Sequence, residues 1–171
     1  MGLIWKIKCL LVLGLDILQE ETMRSKEMWL EFIKNNPTFK NRKYDAWCFG
    51  GGDVIANELA ELVLDGIKTA TASAYELYEM DNSPLPPVGG LNIILDAQEN
   101  AICITETTKV YVCSFNKISA DHAFKEGEGN RSLEYWREVH KEFFTNALSE
   151  YNQSFDEDML VVCEEFKVIY K

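Results

Sequence analysis

The stretch Ile102-Cys103-Ile104-Thr105-Glu106-Thr107-Thr108-Lys109-Val110-Tyr111-Val112 reads as a β-strand, and its alternation sets the expectation for the fold. Strand side chains point to opposite faces in turn, so Ile102, Ile104, Glu106, Thr108, Val110 and Val112 share one side. This is the apolar row, with Glu106 at its middle. Cys103, Thr105, Thr107, Lys109, Tyr111 and Cys113 form the expected outer row. A carboxylate in an apolar row must find a partner, take up a proton or line a cavity. Two readings of Glu106 stay open. It is an acid/base or ligand-binding carboxylate in a semi-apolar pocket, or it marks a bulge that swings it into solvent.

Working outward, residues 91–95 pair with this strand as a hairpin turning at Gln98-Glu99-Asn100, and residues 69–74 and 160–170 supply further strands. Helices are expected at 25–35, with Ser25 as N-cap and Met28, Trp29, Phe32 and Ile33 on the apolar side, and at 53–66. The second opens on Asp53, repeats Ile55, Leu59, Leu62 and Val63 at helical spacing, and ends at Gly66. A short helix at 119–126 and a long one at 132–148 follow, while 37–45 and the Pro/Gly-rich 82–90 are loops. This order predicts an α+β fold, with strands curled around each other and helices outside, rather than a βαβ layer.

A chain of 171 residues, 47% hydrophobic and 26% charged, is long enough for one domain with a real core. Seventeen basic against 28 acidic side chains leave a net charge of -11. That excludes a broad phosphate-tracking surface and favours a small-molecule or single-nucleotide ligand. Five cysteines, odd in number and without a C-x-x-C pair, suggest neither a zinc site nor a disulfide framework and point to a reducing cytoplasm. His140 falls on the stripe Trp136, His140, Phe143, Phe144, Ala147 and reads as a core histidine with a hydrogen-bond partner. His122 lies in the short helix. No metal and no cofactor are expected, since no ligands recur at fixed spacing.

Residues 1–18 imitate a signal peptide, with Lys6 and Lys8 before an apolar run, but Asp16 interrupts the run and no cleavage site follows. The run is also short for a membrane span. The codons for Gln19-Glu20-Glu21 can spell a purine-rich ribosome-binding site ahead of Met23. Residues 1–22 are therefore read as an extension, either a mis-assigned start or an extra helix, and 23–171 as the domain.

The segment Asp65-Gly66-Ile67-Lys68-Thr69-Ala70-Thr71 places a lysine and two hydroxyls at a helix-to-strand turn. Lys68 and Thr71 can then share a cleft, where the lysine lowers the hydroxyl's pKa or, if desolvated, acts as its base. A solvated turn lysine is the alternative. Phe49-Gly50-Gly51-Gly52-Asp53 lacks the Gly-Lys-Ser/Thr of a phosphate loop and reads as a helix lead-in. Trp47 and Phe49 before it offer stacking faces for a base, or core packing. Arg131 and Ser132 open the long helix, whose free N–H groups and dipole favour an anion. Ser132 as N-cap is a sufficient structural role, and Glu126, Glu128 and Glu134 count against an anion there.

Gly66-x-Lys68-x-x-Thr71, preceded by Asn57-Glu58-Leu59-Ala60-Glu61-Leu62-Val63 and followed by Ile104-x-Glu106-Thr107, resembles the ASCH domain. Gly127-Glu128-Gly129-Asn130-Arg131-Ser132-Leu133-Glu134-Tyr135-Trp136-Arg137 looks like the helix-start signature of its bacterial members. The resemblance implies a PUA-like β-barrel of about five or six strands with flanking helices around a cleft that binds RNA or nucleotides. Small members similar to this fold hydrolyse the N4-acetyl group of acetylcytidine with a Lys, a Thr and a Glu, and others are described as ribonucleases. By motif, Lys68 and Thr71 match the first two catalytic residues, and Glu106 is the candidate third by strand position. Two function classes follow. One is a hydrolase acting on a modified nucleoside or an RNA phosphodiester. The other is a non-catalytic RNA- or nucleotide-binding module, with no membrane partner in either case.

Overall fold

The computed structural model describes residues 17–171, with side chains from Arg24 onward. Residues 1–16, and with them most of the segment read as an extension, lie outside the described residues. Helix α1 (Ile17–Asn35) starts well before the expected position 25. Gln19, Glu20, Glu21, Met23 and Arg24 are good helix formers with no glycine or proline among them. The helix therefore runs through Ser25, which is buried within it and does not cap it. In α2 (Asp53–Leu64) the cap is Gly52, in the left-handed region at φ +91°, and Asp53 is the first helical residue. There its charge suits the positive end of the helix dipole.

Strands β1 (Asp45–Cys48), β2 (Ala70–Ala74), β3 (Leu91–Leu95), β4 (Ala101–Ser114) and β5 (Leu160–Tyr170) form one sheet in the order β1-β3-β4-β5-β2. β1 runs parallel to β3 and every other neighbour is antiparallel. The sheet curls into a half-barrel with β1 and β2 at its two edges. Helices α3 (Tyr75–Met80), α4 (Ala120–Glu126) and α5 (Leu133–Ser149) complete the fold. β1 and α3 have no counterpart in the sequence reading. The β3–β4 turn is as expected, held by Asp96 Oδ1 accepting from the Gln98 and Asn100 amides at 2.9 and 2.7 Å.

Three apolar clusters hold the helices to the sheet. Phe144, Leu148 and Trp136 of α5 meet Leu77, Phe115, Val161 and Cys163. Leu59, Ala60 and Val63 of α2 meet Phe49, Ile94, Cys103 and Phe166. Trp29 and Phe32 of α1 meet Leu91, Ile93 and Ile104. Both faces of the sheet are thus covered where Cys103 and Ile104 sit, and neither is an outer residue.

The two-row reading of β4 needs correcting. Thr105 and Thr107 are buried, whereas Glu106 is partly exposed and Thr108 and Val112 are exposed. The ladder to β5 slips between Thr107 and Lys109, where Thr107 faces Phe166 and Lys109 faces Glu165. One extra residue in a strand inverts every side chain beyond it, so a single alternation cannot span β4.

Candidate functional site

Lys68 follows the reversal at Gly66, where Ile67 and Lys68 both donate their amides to the Leu62 carbonyl at 2.9 Å. The end of α4 lies directly against this turn. Thr69 N–H donates to the Lys125 carbonyl at 2.7 Å, and Gly127 closes α4 at φ +79°. A Cβ on Gly127 would lie 2.8 Å from the Ile67 carbonyl oxygen, so only glycine lets the two turns approach this closely.

That approach puts the Lys68 ammonium between two carboxylates. Its Nζ lies 2.7 Å from Glu126 Oε2 and 2.7 Å from Glu128 Oε1, with Lys68 and Glu126 each 1% exposed. The other oxygen of Glu126 accepts from Trp136 Nε1 at 2.9 Å and faces His122 Nε2 at 3.2 Å and His140 Nε2 at 3.5 Å. Burial alone pushes the Lys68 amine down, but the two carboxylates outweigh it and hold the amine above the usual lysine range. Burial likewise pushes Glu126 up, and the charges of Lys68 and His140 with the histidine hydrogen bonds overcome this and hold its carboxyl well below the usual range. Both groups are therefore ionised. Lys68 is a buried cation at neutral pH and no general base.

A cleft of about 480 Å³ opens over this trio at the β2 edge. Lys68, Thr71 and Glu128 lie on it, with Phe49, Tyr135 and Phe143 as its aromatic walls. Glu58, Glu142 and Glu150 line it as well. Phe49 sits with its ring 5.3 Å from the ammonium, and Trp47 stands behind, edge-on to Phe49 at 4.9 Å with its Nε1 donating to Asn92. Glu126, Glu128 and His140 offer ligand atoms within 4.8 Å of one another, a spacing that suits a divalent cation. The Lys68 ammonium already takes the place between the two carboxylates, so we read the group as an ammonium-bridged pair.

The structure brings Lys68, Thr71 and Phe49 to one cleft and leaves Glu106 outside it. Glu106 pairs instead with Lys167 of the neighbouring strand at 3.0 Å, with its side chain 24% exposed. This is the solvent-facing alternative for that residue, produced near a strand irregularity. Arg131 lays its guanidinium over the Phe124 ring at 3.6 Å and donates Nε to the Phe124 carbonyl, away from the cleft walls. Ser132 caps α5 by accepting from the Tyr135 amide at 3.1 Å, as expected. The carboxylates that meet Lys68 went unrecognised because Glu126 and Glu128 read only as charges opposing an anion. The usable signal was the i, i+4 spacing of His122 and Glu126 on one short helix, with Glu128 two residues on.

A family model of the ASCH domain matches residues 45–170. An ASCH domain from Lactobacillus crispatus JV V101 is similar at 35% identity with a TM-score of 0.83, over 87% of this chain and 96% of that one. Protein EF3133 from Enterococcus faecalis V583 is similar at 36% identity with a TM-score of 0.80, over 87% of this chain and 90% of that one. No curated protein matches the sequence. The family match spans every strand of the half-barrel and both turns that clasp Lys68, and with it the chain belongs to the ASCH domain family, a PUA-like fold.

Proposed function

We propose that the cleft hydrolyses an amide on a small uncharged nucleoside, of which an N4-acylated cytidine is the representative substrate. The observation that carries this reading is a fully buried, charged Lys68 bridged by Glu126 and Glu128, with the Thr71 hydroxyl in the same cleft. Attack of water on an acyl carbon develops negative charge on oxygen, and a fixed ammonium in a site poor in water stabilises that charge. Thr71 serves as nucleophile or holds the attacking water. Every oxygen of Glu126 is engaged, so partly exposed Glu128 is the carboxylate free to receive the proton of that water. Phe49 and Tyr135 supply faces for a pyrimidine ring.

The cleft lining separates a nucleoside from an RNA strand. Glu58, Glu142 and Glu150 add three further acidic side chains around a single lysine. A phosphodiester backbone entering there meets repulsion, while a neutral nucleoside does not. The test is release of cytidine from N4-acetylcytidine by the purified protein. Turnover should fall by about 10²-fold or more in Thr71→Val and Glu128→Gln, with unfolding midpoints close to wild type. No turnover, together with tight and salt-dependent binding of single-stranded RNA, would replace the hydrolase with a binding module.

A further inference from the structure

Two histidines surround Glu126, and the hydrolytic reading uses neither. His122 has a partner at one ring nitrogen that can donate or accept, so its contacts do not call for a charge. The Tyr111 hydroxyl lies 3.0 Å from its Nδ1, and its Nε2–H donates to Glu126 Oε1 at 3.2 Å. Burial pushes the Tyr111 phenol up, so it keeps its proton and can serve as donor or acceptor. His140 is placed differently. Its Nδ1 lies 3.0 Å from the Trp136 carbonyl oxygen, which can only accept, so Nδ1 carries a hydrogen. Its Nε2 then faces Glu126 Oε1 at 3.5 Å. A bare Nε2 would set a lone pair against an ionised carboxylate, and a second hydrogen turns that contact into an attraction.

We propose that His140 is held as an imidazolium and is the proton donor of the cleft, delivering its Nε2 hydrogen to the nitrogen that leaves the scissile amide. Two further observations support the charge. With His140 charged, Lys68 and His140 balance Glu126 and the partly exposed Glu128, whereas a neutral ring would leave this set one negative charge in excess. The ring also stacks on the Trp136 indole at 4.0 Å and 15°, a face that attracts cations. The ionisable groups around it are Glu126 and His122 of α4, Glu128 just beyond α4 and Lys68 before β2, while Glu142 lines the same cleft.

The donor role rests on the proposed hydrolysis; the charge of the ring does not. In the balanced step, water adds to the acyl carbon, its proton passes to Glu128, and the oxyanion is held by Lys68. The C–N bond then breaks, the nitrogen takes the His140 proton with the bonding pair, and the acid leaves. Glu128 returns its proton to the ring.

The ring nitrogens of histidine-labelled protein, read by NMR at neutral pH and assigned with His140→Gln, decide the charge. Two protonated nitrogens are expected for His140, and a bare nitrogen on His140 overturns the proposal. His140→Gln keeps a donor toward Glu126 but cannot give up a proton. It should lose about 10²-fold or more in kcat on N4-acetylcytidine. Its loss should be at least about tenfold smaller on p-nitrophenyl acetate, whose leaving group needs no proton. An equal loss on both substrates makes His140 a structural residue only. If the wild type turns over neither, the hydrolytic reading and the donor role fall together, and the NMR result still stands or falls by itself.

Discussion

Replacing Lys68 by Met preserves the length of the apolar stem and deletes the ammonium that two carboxylates share. Removing one partner of a buried ion pair costs about 3–5 kcal/mol, chiefly because the other charge is left buried and unpaired. Two features set the expectation at the lower end. Glu128 is 20% exposed and can turn to water, and Glu126 keeps donors from Trp136 and His122. A loss of about 3 kcal/mol lowers the melting point of a domain this size by roughly 6–12 °C. The double variant Lys68→Met/Glu126→Gln should lose less than the sum of the single losses, with a coupling of about 1–3 kcal/mol. Urea unfolding of the four proteins measures this cycle. Additive losses, or a Lys68→Met cost below about 1 kcal/mol, would show that the ammonium is not compensating a buried charge. The pair also sets a pH window. Glu126 is depressed in the folded state, so its contribution is present above the ordinary glutamate value of about 4.3 and is lost as pH falls through the lowered one. Lys68 is raised, so its contribution is full below about 10.4 and is lost as pH rises through the folded value. Wild-type stability should be level between these limits, and Lys68→Met should lack the alkaline decline.

Gly127→Ala forces an L-residue into φ +79° with its Cβ 2.8 Å from the Ile67 carbonyl, and should cost at least about 2 kcal/mol in thermal unfolding. A cost below 0.5 kcal/mol, on the order of an ordinary surface change, would show that the two turns are not held together. Glu106→Gln removes only an exposed cross-strand pair with Lys167, so stability should change by no more than about 1 kcal/mol and N4-acetylcytidine turnover not at all. A large loss of turnover would return Glu106 to the site. Ser132→Ala deletes the acceptor of the Tyr135 amide at the start of α5 and should cost about 1 kcal/mol by urea titration. No change would mean that water caps the helix equally well.

Local chemistry was enough to read most of the elements. The period of 3.6 in α2 and α5, the serine cap of α5, the turn at Gln98-Glu99-Asn100 and the span of β5 depend on residues close in sequence. Gly66 and the Lys68–Thr71 spacing raised a shared cleft from within one short segment, with a solvated turn lysine as the alternative that local chemistry left open. The face of Glu106 did not follow from its own strand. The bulge beside it exists only in the pairing of β4 with β5, more than fifty residues away in the chain. The charge partners of Lys68 are separated from it in the same way, by 58 and 60 residues. No periodicity reports that two glycine-containing turns will touch. The fold decides it, because docking α4 against the Ile67 carbonyl buries a lysine and one glutamate fully and brings a second, partly exposed glutamate to the same ammonium, so that the buried charges are tolerable only beside each other.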